Sequence, residues 1–165
     1  MQIPKRKAGT YSHLKPDPNL TEAKFNELKS RLEKLKKLHP LAAAEVKRLA
    51  EMGDFSDNAA YSIAKGRLRG INQRILELAD HLKHAMIIRP SKNVSSVELG
   101  SLVTIETSGR QKTYQILGSS ETDPLAGIIS HRSALGSALM GRRVGDKIKI
   151  KTTSKEIKYR IIKIE

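Results

Sequence analysis

From Tyr61 to Ala85 the apolar residues advance 3-4-3-4-3-4-3 without a fault: Tyr61, Ala64, Leu68, Ile71, Ile75, Leu78, Leu82, Ala85. On a helix this spacing keeps every apolar side chain on one narrow face. Water cannot be left against such a face, so the helix needs a partner of similar length. The spacing predicts a helix from about residue 57 to 86, roughly 45 Å long at 1.5 Å per residue. A candidate partner lies just upstream. Phe25, Leu28, Leu32, Leu35 and Leu38 advance by 3, 4, 3 and 3, and Leu41, Val46, Leu49 and Met52 extend the face. Thr21 reads as the cap of this first helix and Glu22 as an acid in its first turn. Pro40 removes one helical hydrogen bond and predicts a kink or a restart. Gly53 reads as the stop. Two such helices with a short connection predict an antiparallel coiled-coil hairpin over residues 21–89. Pairing between two chains is the alternative. The short turn at Gly53 disfavours it, so a monomer is expected.

The rest of the chain follows other rules. Residues 1–20 are basic and punctuated by Pro4, Pro16 and Pro18, which predicts a flexible arm. Residues 90–99 read as a linker. Beyond it the pattern becomes β. Leu102–Thr107 and Lys112–Leu117 are strand candidates joined at Ser108-Gly109-Arg110, and Gly127–Ser130 is a short apolar run. Ser133 to Met140 reads as one or two helical turns, capped by Ser133 and stopped by Gly141. Residues 146–151, 157–161 and 162–165 alternate polar with apolar, as an antiparallel sheet with one wet face requires. The fold class is α+β: a helical hairpin followed by a small sheet domain over residues 100–165.

Charge narrows the partners. Lys plus Arg number 31 against 17 acids, a net charge of +14. The excess is present in both halves. It favours polyanions such as RNA, DNA or a nucleoprotein surface, and solubility alone is the plainer reading. There is no cysteine, hence no disulfide framework and no thiolate metal site. No apolar run is long enough to span a membrane, and no apolar segment follows the basic start, so a cytoplasmic protein without a signal peptide is expected. Trp is absent and aromatics are few, which argues against base stacking as the binding mode.

The chemistry concentrates at the hairpin tip, Gly53-Asp54-Phe55-Ser56-Asp57-Asn58-Ala59-Ala60-Tyr61. Asp54 and Asp57 are the only carboxylates between Glu51 and Glu77. Three residues apart at a helix start, they can face the same way. The plain reading is that they satisfy a helix N-terminus. The functional one is that a rigid rod carries acids into another machine, where they complete a divalent-metal site. Mg²⁺ takes one or two carboxylates with phosphate and water making up the rest. Ser56 can cap the second helix, Asn58 can rigidify the turn, and Tyr61 packs beneath it. Behind the tip come Lys65, Arg67, Arg69 and Arg74, with no acid between Ala60 and Ile75. They read either as a nucleic-acid track or as a solvated coiled-coil face. His39, His81 and His84 have no metal-ligand company, and the glycines lack phosphate-loop spacing.

Taken together, the hairpin, the tip, His39-Pro40, Lys65-Gly-Arg67-Leu68-Arg69 and the run from Gly127 through Ser137–Gly141 to Val144-Gly145-Asp146 resemble the bacterial Gre transcript-cleavage factors. The resemblance spans roughly residues 21–165. The run from Lys65 to Arg74 is closer to the GreB type than to the GreA type. The resemblance implies an FKBP-like C-terminal domain that binds RNA polymerase, and a hairpin that enters the polymerase secondary channel. It implies that Asp54 and Asp57 share a Mg²⁺ with the polymerase, which then cleaves the 3′ end of backtracked RNA. It implies RNA contact by Lys65, Arg67, Arg69 and Arg74, contact to DNA, and an accessory factor that is not itself an enzyme. Two departures stand at the tip: Asp57 where glutamate is usual, and Ala60 where a third acid is common. They keep open a channel-occupying regulator that does not promote, or inhibits, cleavage. A nucleic-acid-binding coiled coil with incidental tip acids is a third reading. Peptidyl-prolyl isomerase activity does not follow from the implied fold.

Overall fold

The computed structural model describes residues 16–52, 59–89, 95–151 and 156–165. Two helices form the hairpin: α1, Glu22–Glu51, and α2, Ala59–Lys83. Thr21 caps α1 as its type requires, its hydroxyl accepting from the Lys24 N–H at 3.2 Å. The helices run side by side along their length. Every seam residue of α2 from Tyr61 to Leu82 is at least partly buried, and Ala64 and Ile71 are buried outright; the helix ends at Lys83, short of the expected residue 86, so Ala85 lies beyond it.

The seam of α1 departs from the expectation in its second half. Phe25, Leu28, Leu32 and Leu35 face inward, and the inward face then continues through His39, Ala42, Val46 and Leu49. The spacing is therefore an unbroken 3-4 repeat. Leu38 and Leu41, expected in the seam, are 46% and 67% exposed, and Met52 is 69% exposed. The helix also does not restart at Pro40; it is continuous from Glu22 to Glu51. Periodicity overrides residue hydrophobicity here. A regular α2 seam pairs best with a regular partner, and keeping that phase costs the burial of two leucines.

The hairpin legs are joined at their base. The segment read as the end of a flexible arm contains β1, Asn19–Leu20, and the chain leaving α2 forms β2, Met86–Ile87. The two strands pair in parallel, and Leu20 is fully buried.

The second half is a five-stranded sheet: β3, Leu102–Thr107; β4, Arg110–Leu117; β5, Ile128–Ser130; β6, Lys147–Lys151; β7, Glu156–Ile164. Spatial order is β5-β4-β3-β7-β6. All pairings are antiparallel except β4 with β5, which is parallel. β3 and β4 form a two-residue hairpin whose turn residues, Ser108 and Gly109, have φ of 49° and 75°. Positive φ at both positions is the turn that matches strand twist. Ile161 and Ile162 break the alternation of β7, and a register shift opposite Thr104/Ile105 absorbs the extra residue. A short helix α3, Ala134–Leu139, is capped by Ser133, whose hydroxyl accepts from the Gly136 N–H at 3.0 Å. It packs on the sheet near β5 and β6. Val97, Val103, Ile105, Ile116, Leu139, Ile148 and Ile161 form the core between them. The architecture is α+β, as expected.

Candidate functional site

The hairpin carries its described candidate groups along α2. Lys65, Arg67, Arg69 and Arg74 all lie on α2 and all are exposed. At about 100° per residue, however, they fall on two flanks of the helix. Lys65 and Arg69 share one flank; Arg67 and Arg74 share the other. The Lys65 ammonium stands 5.6 Å from the centroid of the Tyr61 ring, an exposed cation–π contact. Tyr61 is half-buried at the first described seam position. Arg67 faces α1, its guanidinium 3.9 Å from the Glu45 carboxylate. Arg74 lines a shallow groove with Pro16, Arg31, Glu77, Asp80 and His81. The basic residues thus form two tracks rather than one patch. Asp54, Ser56, Asp57 and Asn58 fall in the connection between Met52 and Ala59, outside the described residues. Among the described residues no group of three His, Cys, Asp or Glu is placed to hold a metal.

At the other end, the hairpin is fastened to the sheet domain by a buried carboxylate. The Asp17 side chain has no solvent-exposed surface. Its Oδ1 accepts from the Asn19 backbone N–H at 3.1 Å and from the Asn19 amide at 2.9 Å. Its Oδ2 accepts from the Ser119 N–H at 2.9 Å, in the turn after β4. The His131 and Arg132 side chains lie 3.5 and 3.7 Å from the same oxygen. Burial by itself pushes this carboxyl up, but the Ser119 and Asn19 hydrogen bonds outweigh it and hold the group below its ordinary value. The His81 ring of α2 meets the Asp17 carbonyl at 2.9 Å. Beside this node, Thr21 donates its N–H and its hydroxyl to the two oxygens of Glu121, at 2.7 and 2.6 Å. Gly118 lies so close to the Asn19 carbonyl oxygen that a Cβ would strike it. Sequence reasoning missed this joint. Its residues come from four separate segments, and Asp17, set between two prolines, carries no periodic signal.

The chain matches two family models in succession: "Transcription elongation factor, N-terminal" over residues 19–87 and "Transcription elongation factor, GreA/GreB, C-term" over residues 91–165. It is 36% identical over 148 residues to transcription elongation factor GreA of Cereibacter sphaeroides, covering 88% of this chain and 98% of that protein. The protein belongs to the GreA/GreB family of transcription elongation factors. GreA of Macrococcus caseolyticus is 34% identical over 149 residues, covering 88% of this chain and 94% of that protein. Among solved structures, GreA factor homolog 1 of Thermus thermophilus is 30% identical, with 90% of this chain and 99% of that chain covered and a TM-score of 0.42. Both curated relatives are named GreA, so the leaning of residues 65–74 toward the GreB type gains no support. No described helix of this GreA/GreB protein is long and apolar enough to cross a membrane.

Proposed function

We propose that this elongation factor binds bacterial RNA polymerase through its sheet domain, passes its hairpin into the secondary channel and stimulates cleavage of backtracked RNA. The observation that carries this reading is the pairing of family membership with the tip: two hard oxygen donors, Asp54 and Asp57, and no other carboxylate between Glu51 and Glu77. Carboxylate oxygens are the donors Mg²⁺ prefers, and one or two from outside suffice to complete a site otherwise built of phosphate and water. Asp54 and Asp57 would hold that share of the ion within the polymerase complex. A second Mg²⁺ supplies charge stabilisation at the oxygens of an in-line displacement. This chain's part is placement: the hairpin positions the two acids, while the catalytic machinery belongs to the polymerase, so the factor is an accessory and not an enzyme. The deciding experiment is transcript cleavage by stalled polymerase with and without the protein. Stimulation supports the proposal. Channel binding without stimulation, which Asp57 and Ala60 keep open, would make the protein a channel-occupying regulator instead.

The two basic tracks sharpen the RNA assignment. If Lys65 and Arg69 guide the RNA 3′ end, replacing both with Ala lowers crosslinking to it. The concentration needed for half-maximal cleavage then rises by roughly tenfold, about 1.4 kcal/mol. The Arg67/Arg74 pair of alanines, on the other flank, should then have a smaller effect, because Arg67 faces Glu45. Equal crosslinking for the unaltered chain and both variants would return these residues to an ordinary solvated face.

A further inference from the structure

The solvent face of the β6–β7 ladder carries cations directly opposite one another. Lys147 pairs in register with Arg160, and Lys149 with Lys158. Lys163, opposite Thr104 on β3, extends the row. All five are exposed. They face away from the core, since their neighbours Ile148 and Ile161 are buried in it. Like charges directly opposite in a ladder are destabilising, and here two such pairs stand side by side. Acids offset little of this. Glu156 is 3.6 Å from Lys149 and Glu165 is 2.9 Å from Lys163, both exposed pairs of the kind worth little. Glu106 lies opposite Arg160 on β3. Among the described residues Lys147, Lys158 and Arg160 have no ion-pair partner.

Edge protection explains only part of the pattern. β6 is an edge strand, and lysines on an edge deter pairing with other chains. β7 is interior, between β3 and β6, so Lys158, Arg160 and Lys163 serve no such purpose.

We propose that this face binds the phosphodiester backbone of nucleic acid. Outward side chains repeat every 6.6–6.8 Å or so along a strand, and neighbouring strands lie about 4.8 Å apart. That is a regular lattice of mostly positive charge, bordered by Glu106 and Glu156, with its cations spaced to meet successive phosphates. An acidic protein surface fits less well. Protein interfaces have an apolar centre depleted of charge, and apart from the bulged Ile162 the outward positions of β6 and β7 are charged. Tyr159 packs against the core, so no ring is offered for stacking. Binding is therefore to backbone, independent of base sequence. The proposal does not depend on the hairpin or on cleavage.

The test uses the full chain, with a short labelled duplex DNA and a single-stranded RNA of equal length, followed by anisotropy across a salt series. The triple variant K147Q/K158Q/R160Q is compared with K29Q/K34Q/K37Q, which removes the same charge from exposed positions of α1. Circular dichroism confirms that both variants are folded. The expected result is at least a tenfold loss of affinity in the sheet variant for one or both probes. Its salt slope on duplex should fall by about 2.7, at roughly 0.9 per lost phosphate contact, with the α1 variant close to the unaltered chain. Equal losses in the two variants, or no binding by the unaltered chain, overturn the proposal. Displacement of both probes by poly-glutamate at equal charge concentration also overturns it, in favour of an acidic protein partner.

Discussion

Asp54→Asn and Asp57→Asn will each leave polymerase binding nearly intact and remove most stimulated transcript cleavage. Asparagine is close to aspartate in shape, so packing of the hairpin should survive. Its neutral amide is a poorer ligand for Mg²⁺. Losing several kcal/mol of charge stabilisation at a reacting phosphate corresponds to a rate loss of roughly 100-fold or more. Asp57→Glu should preserve or raise activity, because the added methylene restores the reach usual in the family. The measurement is Mg²⁺-dependent cleavage in backtracked complexes, with binding followed in parallel. Full cleavage by both asparagine variants would rule out metal coordination by the tip. Loss of binding together with cleavage would show that the substitutions act on docking.

Asp17→Ala will destabilise the joint by about 3 kcal/mol, the scale for leaving buried donors without their acceptor. The Ser119 N–H and the Asn19 donors would lose their acceptor together. The effect is pH-dependent, with a definite sign. The folded carboxyl titrates below its ordinary value of 3.8, so its stabilisation is complete above that pH. It is lost as the pH falls through the folded value. The stability gap between the natural protein and Asp17→Asn should therefore be constant near neutrality and shrink below about pH 4. Urea unfolding across pH measures it. Amide exchange localises it: the Met86 and Ile88 N–H groups donate to the Pro18 and Leu20 carbonyls and should exchange faster in the variant. Gly118→Ala attacks the same joint from the other side, forcing Asn19 away. Unchanged exchange at Met86 and Ile88 in both variants would mean that the base is held by other contacts.

What was legible in the sequence tracks the range over which each signal acts. The α2 seam was legible from Tyr61 to Leu82, because helical period is local; Ala85 fits the period but lies past the end of the helix, where the chain turns into β2. Thr21, Ser133 and the Ser108-Gly109 turn were legible for the same reason: each acts within a few residues of its own position. The second half of α1 was misread because Leu38 and Leu41 are larger and more apolar than His39 and Ala42. Phase is set by the partner helix, which no local window contains. The continuity of α1 through Pro40 has the same origin, since packing along α2 holds the helix on both sides of the break. The strands β1 and β2 are too short to show a period, and Asp17 gains its meaning only from Ser119 and His131, more than a hundred residues away. The tip lies outside the described residues, and the metal role proposed for Asp54 and Asp57 rests on their residue types alone. The two flanks of basic residues follow from the helical period alone, whereas the pairing of Arg67 with Glu45 needed the position of the other helix.

The fastening at the hairpin base sets a mechanical tolerance. A rod of 30 residues is about 45 Å long, so a rotation of only 5° or so at its root sweeps the far end through about 4 Å. Metal–oxygen distances are held to about 0.2 Å. If the far end must deliver ligands, angular play at the root has to be small or be taken up after docking. The stiffness of a handful of bonds around Asp17, Thr21 and Glu121 is thus magnified into aim at the opposite end of the lever. Substitutions there could blunt the factor without touching any group that meets RNA or metal.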